Sequence, residues 1–151
     1  MRVFRSTGRA GFSDAVRDHP DCVEARKLER GVDVDFAEAT GLIDTREGAV
    51  HVRTGDAIVT GPEGDRWRVS RQHFADKYAS RDATRPNAAG PYVSRPYRVL
   101  ARRMSDAFEV WLADGVSRLT GRPGDWLVDY GDGSLGIVAA DVFADTYEIL
   151  G

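Results

Sequence analysis

Several residues in this 151-residue chain are of types that can do chemistry. His19 and Cys22 stand three apart, the spacing of a metal-ligand pair, but a tetrahedral zinc site needs two more donors. His51 and His73 would have to supply them from elsewhere in the fold. Cys22 with a histidine base is also the start of a thiol nucleophile, provided a nearby cation or helix start lowers its pKa. Asp56 and Asp125 each follow a glycine. As general acid and base they would need one cavity and separated pKa values. Arg102 and Arg103, together with Trp126, Tyr130 and Asp125, have the makings of an aromatic-walled groove. A guanidinium beside rings suits planar anions, through stacking and bidentate hydrogen bonds.

Each set has a plainer reading. The segment from Cys22 to Arg26 alternates, so Cys22 shares a strand face with Glu24 and Arg26 and reads as an incidental edge-strand thiol. Asp56 and Asp125 open strands after a Gly turn, where a carboxylate commonly accepts backbone N–H bonds. Gly131, Gly133 and Gly136 do not lead from a strand into a long helix, as phosphate-cradling loops do, and read as turn glycines. Asp76 and Asp145 read as solvated. Arg102 and Arg103 read as surface charges, with the groove as the alternative. No catalytic residue, metal site or cofactor is assigned. The binding candidates are Trp126, Tyr130, Arg102, Arg103 and Asp125.

The elements that would position these residues come in a repeat. Residues 53–79 and 122–148 align without a gap and share ten identities, among them Gly55/Gly124, Asp56/Asp125, Phe74/Phe143 and Tyr78/Tyr147. With a gap of seven, "CVEARKL" (22–28) lies over "RVLARRM" (98–104). Each copy reads as alternating strands, a Gly-Asp turn, a hairpin closed by "GPEGD" or "GDGSLG", and a short helix capped at Ser70 or Asp141. Val23, Ala25, Val99 and Ala101 are expected inside, with Arg98 and Arg102 outside. The expected fold is α+β and β-rich: two tandem copies of a small antiparallel sheet or partial-barrel unit, each closed by a short helix, with pseudo-twofold symmetry. The expected divisions are an N-terminal extension at 1–15, copies at 16–79 and 92–150, and a linker at 80–91. A unit of about sixty residues buries too little surface to be stable alone, so the copies are expected to share a core. The extension reads as an edge strand, "RVF", and a helix capped by Ser13.

Composition narrows the class. Hydrophobic residues at 42% and charged residues at 30% describe a globular protein, and no apolar run is long enough to cross a bilayer. A single cysteine forms no internal disulfide, and a cytoplasmic location is expected. The net charge of −3 hides an asymmetry: residues 66–122 hold twelve Lys/Arg and five Asp/Glu, whereas 123–151 hold six acids and no base. Nucleic-acid binding would need Arg95, Arg98, Arg102, Arg103, Arg118 and Arg122 on one open face. The overall acidity argues against it.

The motifs "RPYRVLARRM" (95–104), "GRPGDWLVDYGDGSLGIV" (121–138) and "FADTYE" (143–148) resemble the PGDYG family of small bacterial and phage proteins. The stretch that names the family falls on Asp132-Gly133-Ser134-Leu135-Gly136, which keeps the glycines. The resemblance implies the strand order of this half and a phage or mobile-element context; it implies no activity.

The favoured function is a non-catalytic binding module. It would capture a small anionic or nucleotide-like ligand, or a protein partner, between the two copies. The alternatives are a small enzyme using Asp and Arg in that groove, and a nucleic-acid binder. A homodimer is allowed and a membrane partner is not expected.

Overall fold

The computed structural model describes residues 1–81, 84–85 and 87–151; Asp82, Ala83 and Pro86, in the expected linker, lie outside the described residues. In chain order the elements begin with β1 (Arg2–Arg5), α1 (Asp14–Arg17), β2 (Cys22–Lys27), β3 (Gly31–Phe36), β4 (Gly41–Thr45) and β5 (Gly48–Val52). There follow β6 (Ala57–Thr60), β7 (Arg66–Val69), α2 (Arg71–Lys77), β8 (Tyr78–Ser80) and β9 (Gly90–Ser94). The chain ends with β10 (Arg98–Arg103), β11 (Phe108–Trp111), β12 (Arg118–Gly121), β13 (Trp126–Asp129), β14 (Leu135–Val138), α3 (Ala140–Thr146) and β15 (Tyr147–Ile149). The described residues are β-rich, with several antiparallel sheets and no closed barrel among them.

Two compact units emerge: Met1–Lys27 with Arg98–Gly151, and Leu28–Tyr97. Unit 1 holds a five-stranded sheet of order β14-β13-β10-β2-β15 and a three-stranded sheet of order β1-β11-β12. Its β1 runs parallel to β11, an edge strand as "RVF" suggested. Unit 2 holds a five-stranded sheet of order β7-β6-β3-β9-β8 and the β4-β5 hairpin. The unit boundaries therefore cut across the sequence copies. Strand β2, from the first copy, pairs antiparallel with β10, the segment it was aligned to, with Ala101 opposite Val23. Strand β9, which includes the end of the expected linker, lies between β3 and β8.

Alternation sets the two faces of the unit 1 sheet. Residues directly opposite in an antiparallel pair share a face. Val99, Ala101 and Arg103 of β10 thus share a face with Val128 and Trp126 of β13, while Leu100 and Arg102 share the other with Asp129 and Leu127. Helix α3 packs Phe143 on the first face, its ring 4.1 Å from that of Trp126 and nearly parallel to it. The stack continues to Tyr147 at 4.8 Å, with the Lys27 ammonium 4.8 Å from that ring. Unit 2 has its own aromatic core: Phe74 stacks on Tyr78 at 5.2 Å and meets Phe36 and Tyr92 edge-on. Trp67 Nε1 donates to the Tyr78 hydroxyl at 3.0 Å.

Two local expectations need correction. The cap of α3 is Ala139, not Asp141, and Ser70 caps α2 with the same extended backbone, φ −61° and ψ 149°, but no side-chain bond. Backbone geometry, not a capping oxygen, starts both helices, so the alignment holds without an offset. Tyr78 and Tyr147 follow the helices as their C-caps and open the strands β8 and β15.

Candidate functional site

The candidate residues separate along β13 and across the sheet. Trp126 opens β13, directly opposite Arg103. Its indole is half-buried, with one face taken by Phe143. Tyr130 follows the far end of the same strand, four residues or about 13 Å along. Its ring lies against the bare Cα of Gly136, where an added Cβ would be 3.0 Å from the hydroxyl oxygen. Trp126, Asp125 and Arg103 are therefore neighbours, and Tyr130 is not among them. Arg102 points to the opposite face from Arg103, as adjacent strand residues must.

Asp125 has a structural duty. Its Oδ2 accepts the Arg122 N–H at 2.9 Å, closing the turn whose Gly124 has φ +94°. Asp56 does the same in unit 2, accepting from the Arg53 N–H at 2.8 Å. Both match the plainer reading of these carboxylates.

At the end of β10 and the start of β2 lies an open depression of about 600 Å³, lined by Pro20, Asp21, Val23, Arg103, Met104, Ser105 and Gly124. Its walls combine apolar side chains with one cation and one carboxylate. Arg103 is exposed, and its Nε donates to the Gly124 carbonyl at 3.3 Å, which holds the guanidinium at the rim.

Arg102 departs from its reading as an outward surface charge: it is only 6% exposed. The face it occupies is covered by β1, whose Phe4 ring lies 5.7 Å from its guanidinium. Covering strands arrive from far along the chain, so alternation within β10 alone could not show which face is dry. Cys22 is opposite Arg102 in register. Burial pushes its thiol pKa up, the Asp129 carboxylate adds to this, and a hydrogen bond from the Ala101 backbone opposes it. The thiol is therefore held in its protonated form, contrary to what a nucleophile needs. Among the described residues no group of three or more His, Cys, Asp or Glu side chains is placed to hold a metal ion.

Sequence reasoning missed Asp129. This 1%-exposed carboxylate accepts the Ser13 N–H at 2.5 Å through Oδ2 and the Gly131 N–H at 2.9 Å through Oδ1. Burial raises its pKa, and the two backbone bonds oppose the rise. The signal was present in "WLVD", where Asp129 stands in phase with apolar Leu127. Asp129 anchors a strap formed by residues 6–13. Gly8 N–H donates to Gly133 O at 2.9 Å, Gly11 N–H to Gly131 O at 2.8 Å, and Leu135 N–H to Ser6 Oγ at 3.0 Å. The turn bearing the signature glycines is thus the seat of the N-terminal segment.

Of the arginines needed for a nucleic-acid face, Arg95 belongs to unit 2 and the others are dispersed within unit 1. Arg98 pairs with Glu24 at 3.3 Å, Arg118 with Glu109 at 3.1 Å, Arg102 is buried, and Arg103 lies on the other side of the sheet. Among the described residues no helix is long and apolar enough to cross a membrane.

No curated protein and no solved structure matches the chain. The family model described as PGDYG protein matches residues 48–148, which run from β5 into β15 and include the Asp125 turn, Arg102, Arg103 and the seat of the strap. With two thirds of its length matched, the chain belongs to the PGDYG family.

Proposed function

We propose that this protein is a non-catalytic binding module, and that unit 1 captures a small organic anion in the depression beside Arg103. The observation that carries this reading is the make-up of the depression: an exposed guanidinium fixed at the rim, with Val23, Met104 and Pro20 as apolar walls. A ligand with an apolar body and a carboxylate or phosphate fits such a surface, since pockets combine apolar walls with a few placed polar groups. The neighbouring chemistry favours binding over turnover. Asp125 is committed to a turn, and the Cys22 thiol is held protonated.

We also infer that the two units descend from one duplicated unit whose first strand changed places. Three registers support this. Phe36 opposite Ala57 corresponds to Arg103 opposite Trp126; Ala57 opposite Val69 corresponds to Trp126 opposite Val138; Tyr78 opposite Ser94 corresponds to Tyr147 opposite Lys27. In this correspondence β3 matches β10 and β9 matches β2, so β2 serves in the sheet of the later copy and β9 in that of the earlier one. The strand-for-strand match accounts for the repeat better than the gapped alignment of 22–28 with 98–104.

The experiment is native mass spectrometry of the full chain purified from its own host. A retained small anion is expected in the wild-type protein and absent from Arg103→Glu. Amide shifts on adding back the released compound should centre on Val23, Ser105 and Gly124. A chain that carries no small molecule, or one retained equally by Arg103→Glu, would overturn the reading.

A further inference from the structure

At Arg102 charge, burial and a missing acceptor coincide. The residue is 6% exposed, and its Nη1 is closed to solvent with no hydrogen-bond partner among the described residues. The guanidinium faces the Phe4 ring at 5.7 Å, and the guanidinium of Arg2 lies 5.2 Å from the same ring centroid. Both reach Phe4 for a simple reason: Arg2 and Phe4 are two apart on β1 and share a face, and that face lies against Arg102.

Two cations around one ring repel each other. Burial first, and the Arg2 charge second, weaken the hold of Arg102 on its proton, while Asp21 works the other way. Asp21 is exposed, and Cys22, opposite Arg102, is held neutral, so neither places a buried negative charge on the guanidinium. A guanidinium presents five N–H donors in a planar fork and accepts nothing. The aromatic ring answers its charge but satisfies none of those directional donors. The group that answers both is an anion with two or more oxygens, which takes parallel bonds from one guanidinium and a third from its neighbour.

We propose that Arg102 and Arg2 form a binding site for a small oxyanion, a carboxylate or a phosphate group, held against the edge of Phe4. The site lies on the face of the sheet opposite Arg103 and does not depend on the depression proposed above. Arg2 and Phe4 come from the N-terminal segment, which lies outside the family match at 48–148, so the site is a feature of this chain and not of the matched region alone.

The test uses the full chain at constant ionic strength in chloride, titrated with inorganic phosphate and, separately, with acetate. The readouts are the melting temperature and the side-chain Nε–Hε resonances of Arg102 and Arg2. A saturable rise in melting temperature with movement of both resonances is expected. Phosphate alone, acetate alone, or both producing it would assign the class as phosphate, carboxylate or either. Arg2 is exposed, so Arg2→Met should fold normally and bind at least tenfold more weakly. Arg102→Met should abolish the response without lowering the melting temperature of the anion-free protein, because it removes a buried cation that lacks an acceptor. Arg103→Ala should leave these titrations unchanged, so the two sites fail or succeed separately. No saturable response to either anion, or one that persists in Arg2→Met, would overturn the proposal; if Arg102→Met does not fold, Arg2→Met decides.

Discussion

Substituting Gly133 with alanine should release the strap. Gly133 has φ +91°, and a Cβ there would lie 2.4 Å from the Arg9 nitrogen, 2.5 Å from its carbonyl oxygen and 2.6 Å from the Gly8 carbonyl carbon. All three are backbone atoms, so no side-chain rotation relieves the overlap. Holding alanine in the left-handed region costs about 1 kcal/mol. If the strap withdraws, the bonds from Gly8 and Gly11 to the turn are lost at about 1 kcal/mol each. The sum is about 3 kcal/mol, which for a protein of this size lowers the melting temperature by roughly 6–12 °C. Gly115→Ala is the control. It lies in the same unit with φ +74° and nothing within 4 Å of its added Cβ, so it incurs only the backbone strain, about 1 kcal/mol. Urea unfolding in a Trp67→Phe background reads unit 1 through Trp111 and Trp126. Limited trypsin digestion at Arg5 and Arg9 reads the strap directly. Equal destabilisation by the two alanines, with unchanged cleavage at Arg9, would refute the argument that the signature turn seats residues 6–13.

Two further outcomes follow from the carboxylates. Burial raises the pKa of Asp129, so between the unfolded and folded values the folded state binds more protons, and stability falls as pH rises through that window. Asp129→Asn should therefore flatten the stability–pH curve above the unfolded carboxylate pKa, measured by denaturation at several pH values. A slope identical to wild type would count against the burial argument. Asp125→Ala removes the acceptor for the Arg122 N–H and should cost about 1 kcal/mol by urea unfolding. It should leave retention of the small anion intact in native mass spectra; loss of the ligand would move Asp125 from turn to binding site.

Much of the local structure was legible in the sequence. The strands "AIVT" and "WLVD", the Gly-Asp turns and the short helix after Ser70 appear where residue type and turn chemistry put them, while α3 is capped at Ala139, two residues before the expected cap at Asp141. The duty of Asp125 and Asp56 could also be read, because an aspartate three residues from its donor is a local arrangement. Strands "GLIDT" and "RLTG" carry no clear strand signal, being short, with glycine at an end.

What the sequence determined by itself is local: periods, turns, the glycines that tolerate positive φ, and the ten identities of the repeat. Partner choice was decided only by the tertiary structure. That β2 pairs with β10 and β9 with β3 depends on hydrogen bonds between strands more than fifty residues apart, and any alternating strand can offer them to several partners. The burial of Arg102 has the same origin. Its place in β10 fixes only that it opposes Arg103 across the sheet; whether that side is wet or dry depends on β1, delivered there by its parallel pairing with β11.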